Sequence, residues 1–170
     1  EKFDKLEVIE VIDKGINARL TNIKFIEKRG NSEFNLNCMD ASEFPNLNLE
    51  EKKDPVIINK EDFKSLINNV YYAVAQDDSR PILKGILIET TGTNIRAVAV
   101  DGCRLSIANK TLVNTTGDFK IIVPGKNIND IVKMMDSEGT IKVFVHSNNI
   151  MVDLGDTIVI NRLIDGQFIN

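Results

Sequence analysis

The chain has 170 residues, 42% of them apolar and 27% charged. That composition is ordinary for a globular protein, and the length allows one domain with a real core plus part of another. A net charge of −4 and a pI near 5.1 exclude a protein that grips nucleic acid over its whole surface, though not one with a local basic face.

No apolar run approaches the ~20 residues of a membrane-spanning helix, so no membrane partner is expected. The start, Glu1 to Leu6, carries neither a signal-peptide core nor Met, and it reads as the interior of a longer chain. Cys38 and Cys103 stand alone in the sequence. Lone cysteines without a secretion signal point to reduced thiols and a cytoplasmic location.

Residues 1–44 read as the end of a domain. Leu6 to Ile12 fits a strand or a short helix. Asn17 to Glu27 reads as a strand, and Lys28 to Asn31 as a turn. In Ser32 to Cys38, Phe34, Leu36 and Cys38 alternate with Glu33, Asn35 and Asn37, which predicts a strand paired to its predecessor. So few elements build no core of their own. A connector at 45–55, bounded by Pro45 and Pro55 and carrying Glu50-Glu51-Lys52-Lys53, loses all apolar periodicity. It marks a domain boundary, and 56–170 is the second domain.

Val56 to Ile58 is a short strand. Asn59 is a helix N-cap whose side chain is expected to accept from free backbone N–H groups. Phe63, Leu66, Ile67, Val70 and Val74 then recur at the spacing of an amphipathic helix, ending near Ala75. After the loop Gln76 to Pro81, strands are predicted at Lys84–Glu89, Asn94–Val100 and Arg104–Ala108. Asp101-Gly102 between the last two is a strong hairpin signal.

The order then repeats. Phe119 to Val123 is a strand, and Pro124-Gly125 turns the chain. Ile128, Ile131, Val132 and Met135 form a second amphipathic stripe. Strands follow at Ile141–Val145, Asn149–Val152 and Thr157–Asn161. Both halves read βαβββ, and an internal duplication is the economical explanation. The predicted fold class is α+β, with two helices side by side on one curved antiparallel sheet.

Catalytic motifs are missing. His146 sits at a strand-to-turn junction with no acid or nucleophile near it in sequence. Asp101, Asp153 and Asp156 occupy turns, where Asp is expected on backbone grounds. No phosphate loop, metal-spaced Cys/His set or nucleophile motif occurs. The expectation is a non-enzyme with no cofactor and no metal.

Four stretches carry a family resemblance: Ser32 to Asn37 with Glu43 to Leu47, Arg80 to Glu89, Ala99 to Leu105, and Leu163 to Phe168. Together they resemble the bacterial DNA polymerase III beta subunit, the replicative sliding clamp. The resemblance covers nearly the whole chain. It implies a DNA-clamp fold, with 1–44 the tail of the first clamp domain and 56–170 most of the second. It implies a homodimeric ring around duplex DNA, sliding without sequence preference, in the bacterial cytoplasm at the nucleoid. The implied partners are the polymerase catalytic subunit, the clamp loader and other proteins with clamp-binding motifs. They dock by a peptide groove whose wall in this domain maps to Leu83, Val100, Gly102, Cys103, Arg104 and Leu105. The family often has Thr at Val100, His at Cys103 and Pro-Asp at Ile169-Asn170, so peptide preference is expected to differ. The resemblance also implies DNA-facing helices, here with Lys60, Lys64, Lys126 and Lys133, and a loop with Arg80. The rival reading is a β-rich peptide-binding adaptor unrelated to replication. It keeps the hairpin but not the doubled unit.

Overall fold

A computed structural model describes residues 6–13, 19–27, 33–39, 43, 55–77, 79–114, 117–136 and 138–169. The chain divides into two compact units, 1–49 and 50–170. The connector 45–54 lies outside the described residues.

The first unit contains β1 (Leu6–Asp13), β2 (Arg19–Glu27) and β3 (Glu33–Asn37), antiparallel in the order β1-β2-β3. The segment that fitted either a strand or a helix is thus a strand. Its register shifts between Val11 and Ile12. Phe25 pairs with Phe34, and Phe34 and Leu36 stay exposed.

The second unit begins with β4 (Val56–Asn59) and α1 (Lys60–Tyr71). A 3-10 turn at Pro81–Lys84 leads to β5 (Gly85–Thr91), β6 (Asn94–Val100) and β7 (Leu105–Thr111). The second half runs β8 (Phe119–Pro124), α2 (Gly125–Met134), β9 (Thr140–Val145), β10 (Asn149–Asp153) and β11 (Ile158–Arg162). Asn59 is the residue before α1, but its side chain does not cap the helix. Its amide donates to Asp62 at 3.4 Å instead, and the Lys60 N–H is taken by the Gly139 carbonyl at 2.9 Å.

The layer beneath the helices is two four-stranded sheets, not one continuous sheet. Their orders are β11-β10-β9-β4 and β7-β6-β5-β8. The halves have exchanged their first strands: β4 pairs with β9, and β8 with β5. The exchange is symmetric in register. Val56 faces Val143 and Ile58 faces Ile141; in the other half Ile121 faces Ile88 and Val123 faces Ile86. At the outer edge of β4, Val113 N–H donates to Ile57 O at 2.9 Å. At the outer edge of β8, Ile164 N–H donates to Ile122 O at 2.9 Å. Val113 and Ile164 lie beyond the ends of β7 and β11, so the ladder stops there.

The core lies between both sheets and the buried faces of both helices. Phe63, Leu66, Ile67 and Val70 of α1 meet Ile128, Ile131 and Val132 of α2 in one cluster with Ile58, Ile86, Ile88, Val123 and Ile141. Each such side chain contributes roughly 1.5–3 kcal/mol of burial. Lys60 at the start of α1 pairs with Asp136 just past α2. The helices therefore lie antiparallel. At their other end a Cβ on Gly125 would come within 2.9 Å of Val74 Cγ1 and 3.1 Å of Lys84 O. Glycine here permits close packing of α2 on the chain leaving α1.

Gly125→Ala is therefore expected to lower stability by about 1–3 kcal/mol through overpacking. Gly117→Ala, where an added Cβ meets nothing within 4 Å, should change it by less than about 0.5 kcal/mol. Urea unfolding of both variants checks the contrast.

Candidate functional site

The two halves differ most where the site is built. From α2 to β9 the chain needs only Met135 to Gly139, but from α1 to β5 it spends Tyr72 to Lys84. The hairpin β10–β11 closes after the Asp153–Ile158 pair. The hairpin β6–β7 runs two rungs further, through Ala99–Ser106 and Val100–Leu105. Both extensions carry predicted peptide-groove residues: Leu83 in the first, and Val100 to Leu105 in the second.

The hairpin tip is tightly tied. Asp101 N–H donates to Arg104 O at 3.2 Å. Gly102 takes φ +93° between them, a conformation that side-chain-bearing residues avoid. Asp101 Oδ1 accepts the Cys103 and Arg104 backbone N–H groups at 3.0 and 3.1 Å. Its Oδ2 accepts Arg104 Nε–H at 2.7 Å. The Cys103 N–H, followed by the Arg104 guanidinium, holds the Asp101 carboxyl below the usual carboxylate range. The Arg104 guanidinium also lies 5.6 Å from the centre of the Tyr72 ring, within cation–π range. It is oriented from two sides within the free protein.

Leu105 is 59% exposed, whereas Leu83 is 3% exposed. Leu83 belongs to a small second cluster with Ala75, Leu87, Val98, Ile122 and Phe168, on the sheet face away from the helices. Above that cluster lies a trough of about 390 Å³ lined by Val100, Leu105, Ile107, Val98, Phe168 and Ile169 among others. The structure thus brings Val100 and Leu105 together on one apolar wall. Leu83 packs with the residues of its floor, and Gly102, Cys103 and Arg104 form the exposed hairpin tip. Sequence reasoning missed Leu87, Val98 and Ile107 as lining residues. A signal existed: Gly85 to Ile88 and Ala97 to Val100 are apolar without alternation, as strands covered on both faces are.

The predicted DNA-facing cations fall into three groups. Lys126 and Lys133 are exposed on α2, opposite its buried stripe. Lys133 Nζ pairs with Asp130 at 3.1 Å. Lys60 has a side chain only 13% exposed, ion-paired to Asp136, and Lys64 is half-buried. The Lys60 hydrogen bond, with Lys64 nearby, holds the Asp136 carboxyl below its usual range. Arg80 is exposed at the entry to the 3-10 turn. Carboxylates that sequence reasoning did not weigh therefore already neutralise part of this face.

No described group of three or more His, Cys, Asp or Glu side chains is arranged to hold a metal ion. No described helix is long and apolar enough to cross a membrane.

Comparison with known proteins agrees with this architecture. The family profile described as DNA polymerase III beta subunit, central domain, matches residues 57–170. The beta sliding clamp of Salmonella typhimurium is 32% identical over 154 residues, covering 90% of this chain and 42% of that protein. The beta subunit from DNA polymerase of Streptococcus pyogenes superposes with a TM-score of 0.79 at 26% identity, over 97% of this chain and 43% of that one. The DNA polymerase sliding clamp from Bacillus subtilis gives a TM-score of 0.79 at 24% identity, over 94% of this chain and 41% of that one, a likeness of fold. The chain spans about two-fifths of the length of these relatives. With its strand-exchanged double unit and this match over most of its length, the chain belongs to the DNA polymerase III beta subunit family.

Proposed function

We propose that this chain is part of a sliding clamp, a non-catalytic subunit that holds a polymerase on its template. The doubled, strand-exchanged unit carries the proposal, because it sets two helices side by side on one face and a peptide-sized trough on the other side of a sheet. In this reading residues 1–44 end the first clamp domain, 45–55 link, and 56–170 form the second. Two complete chains close a ring around duplex DNA at the bacterial nucleoid. The polymerase catalytic subunit, the clamp loader and other motif-bearing proteins dock a short peptide at Val100, Gly102, Cys103, Arg104 and Leu105, over Leu83. Tethering raises the effective concentration of the polymerase at the primer end without any chemistry in the clamp.

DNA contact in this reading is electrostatic and weak, as sliding requires. Lys126 and Arg80, exposed and without a carboxylate partner among the described residues, carry most of it, while Lys133 and Lys60 contribute less because Asp130 and Asp136 already pair with them. Few phosphate contacts mean a shallow but definite salt dependence.

Three outcomes follow for the complete protein. Leu105→Asp should weaken binding of a polymerase-derived peptide at least about tenfold by fluorescence anisotropy, from lost apolar contact and a buried charge. Its unfolding curve should stay unchanged, since Leu105 is 59% exposed; undiminished binding sinks the groove assignment. Changing Lys126 and Lys133 together to Glu should shorten retention on circular DNA, and the defect should fade as salt rises; equal retention sinks the DNA-facing assignment. Asp101 acts as an ionised acceptor, and its folded-state pKa is depressed. Its support of Arg104 is therefore complete above the ordinary carboxylate value and lost as pH falls through the depressed one. Peptide affinity should stay flat from neutral pH down through about pH 5 and fall only in stronger acid. Asp101→Asn should weaken binding at neutral pH, and the difference from the unaltered protein should close in strong acid, where Asp101 itself is protonated.

A further inference from the structure

On the outer face of the β7-β6-β5-β8 sheet, the register sorts side chains into rows across the strands. Leu105 stands opposite Val100. In the next row Ile107 faces Val98, Val98 faces Leu87, and Leu87 faces Ile122. In the third, Asn109 faces Arg96, Arg96 faces Glu89, and Glu89 faces Lys120. Two apolar rows thus end at a charged one, and the trough lined by Val100 and Leu105 extends over all three.

Two features of the far end are not used by the peptide groove described above. Ile107 is 45% exposed although it sits in an apolar row. Glu89 is already matched by Lys120, 3.0 Å away. Arg96 is exposed and faces the neutral Asn109 on one side and the already paired Glu89 on the other. Asp118 lines the adjoining hollow with Arg96, Glu89 and Lys120, but no ion pair joins it to Arg96 among the described residues. Arg96 is thus a cation without a paired carboxylate at the end of an apolar trough.

We propose that the trough takes an extended partner segment running from an apolar anchor on Val100 and Leu105, across Ile107, to a carboxylate side chain at Arg96. This rests on the peptide-groove reading and specifies its partner. Val100 and Arg96 lie on one face of β6, separated by about 13 Å at the usual strand rise. An extended partner covers that distance in about four residues, and its residues four apart project to the same side. The partner therefore carries Asp or Glu four positions from its apolar anchor. An exposed ion pair at the rim adds little affinity but selects among partners.

The test uses three labelled nonapeptides with Phe at the centre: Asp at the first position, Asp at the last, and Asn at both. Binding to the complete protein is followed by anisotropy at low salt. One Asp peptide should bind about threefold more tightly than the Asn peptide. That advantage should vanish in Arg96→Gln, while affinity for the Asn peptide stays unchanged. Ile107→Asn should weaken all three. If all three bind equally and Leu105→Asp abolishes binding, the extension is overturned and the groove stands. If none binds the unaltered protein, both fall.

Discussion

Neither half of the second unit can complete a sheet by itself. The first strand of each half is the fourth strand of the other half's sheet, through β4 on β9 and β8 on β5. Everything else depends on that exchange. It places α1 and α2 antiparallel in one layer, where their apolar stripes share a single core. Seams form where β4 meets Val113 and β8 meets Ile164. One carbonyl at each outer edge, Ile57 O and Ile122 O, is thereby given a donor. Because the pairings are long-range, the two halves fold as one object.

On this symmetric frame the two insertions of the first half create an asymmetry. The longer α1–β5 connection supplies Leu83 and carries Tyr72, while the longer β6–β7 hairpin carries Asp101 and Arg104. They meet where Arg104 lies over the Tyr72 ring and is held by Asp101. In the peptide-groove reading, a guanidinium held in place before a partner arrives loses less freedom on binding. The apolar wall beside it is equally prepared, because Leu87, Val98 and Phe168 are packed beneath an exposed Leu105.

The helix layer obeys a different constraint. Its cations are interleaved with Asp62, Asp130 and Asp136: Lys110–Asp62 and Lys60–Asp136 tie the helices to their surroundings, and Lys133–Asp130 is a pair within α2. Charge that holds the fold together is only partly available to a polyanion. In the sliding-clamp reading, that moderates the grip on phosphates in keeping with free movement along DNA.

Much was legible in the residues alone. Helical stripes at Phe63 to Val70 and Ile128 to Met135, the strand order and the Asp101-Gly102 turn are local patterns, because side-chain period and turn chemistry are properties of neighbouring residues. The duplication was legible for the same reason, and so was the family resemblance that the profile match bears out. Which strands pair was not legible. Val56 to Ile58 and Ile121 to Val123 are apolar runs that fit any sheet, and only tertiary packing sends each to the other half. The same limit holds at the site. Leu83 and Leu105 look alike in sequence, yet one is buried in the floor and the other left in solvent. The pairing of Lys60 with Asp136 and the row from Ile107 to Arg96 depend on residues distant in the chain. The sequence by itself determined the elements, their repetition and the chemistry of each turn. Tertiary structure decided their partners, because burial and charge pairing are set by distances in space that local periodicity does not encode.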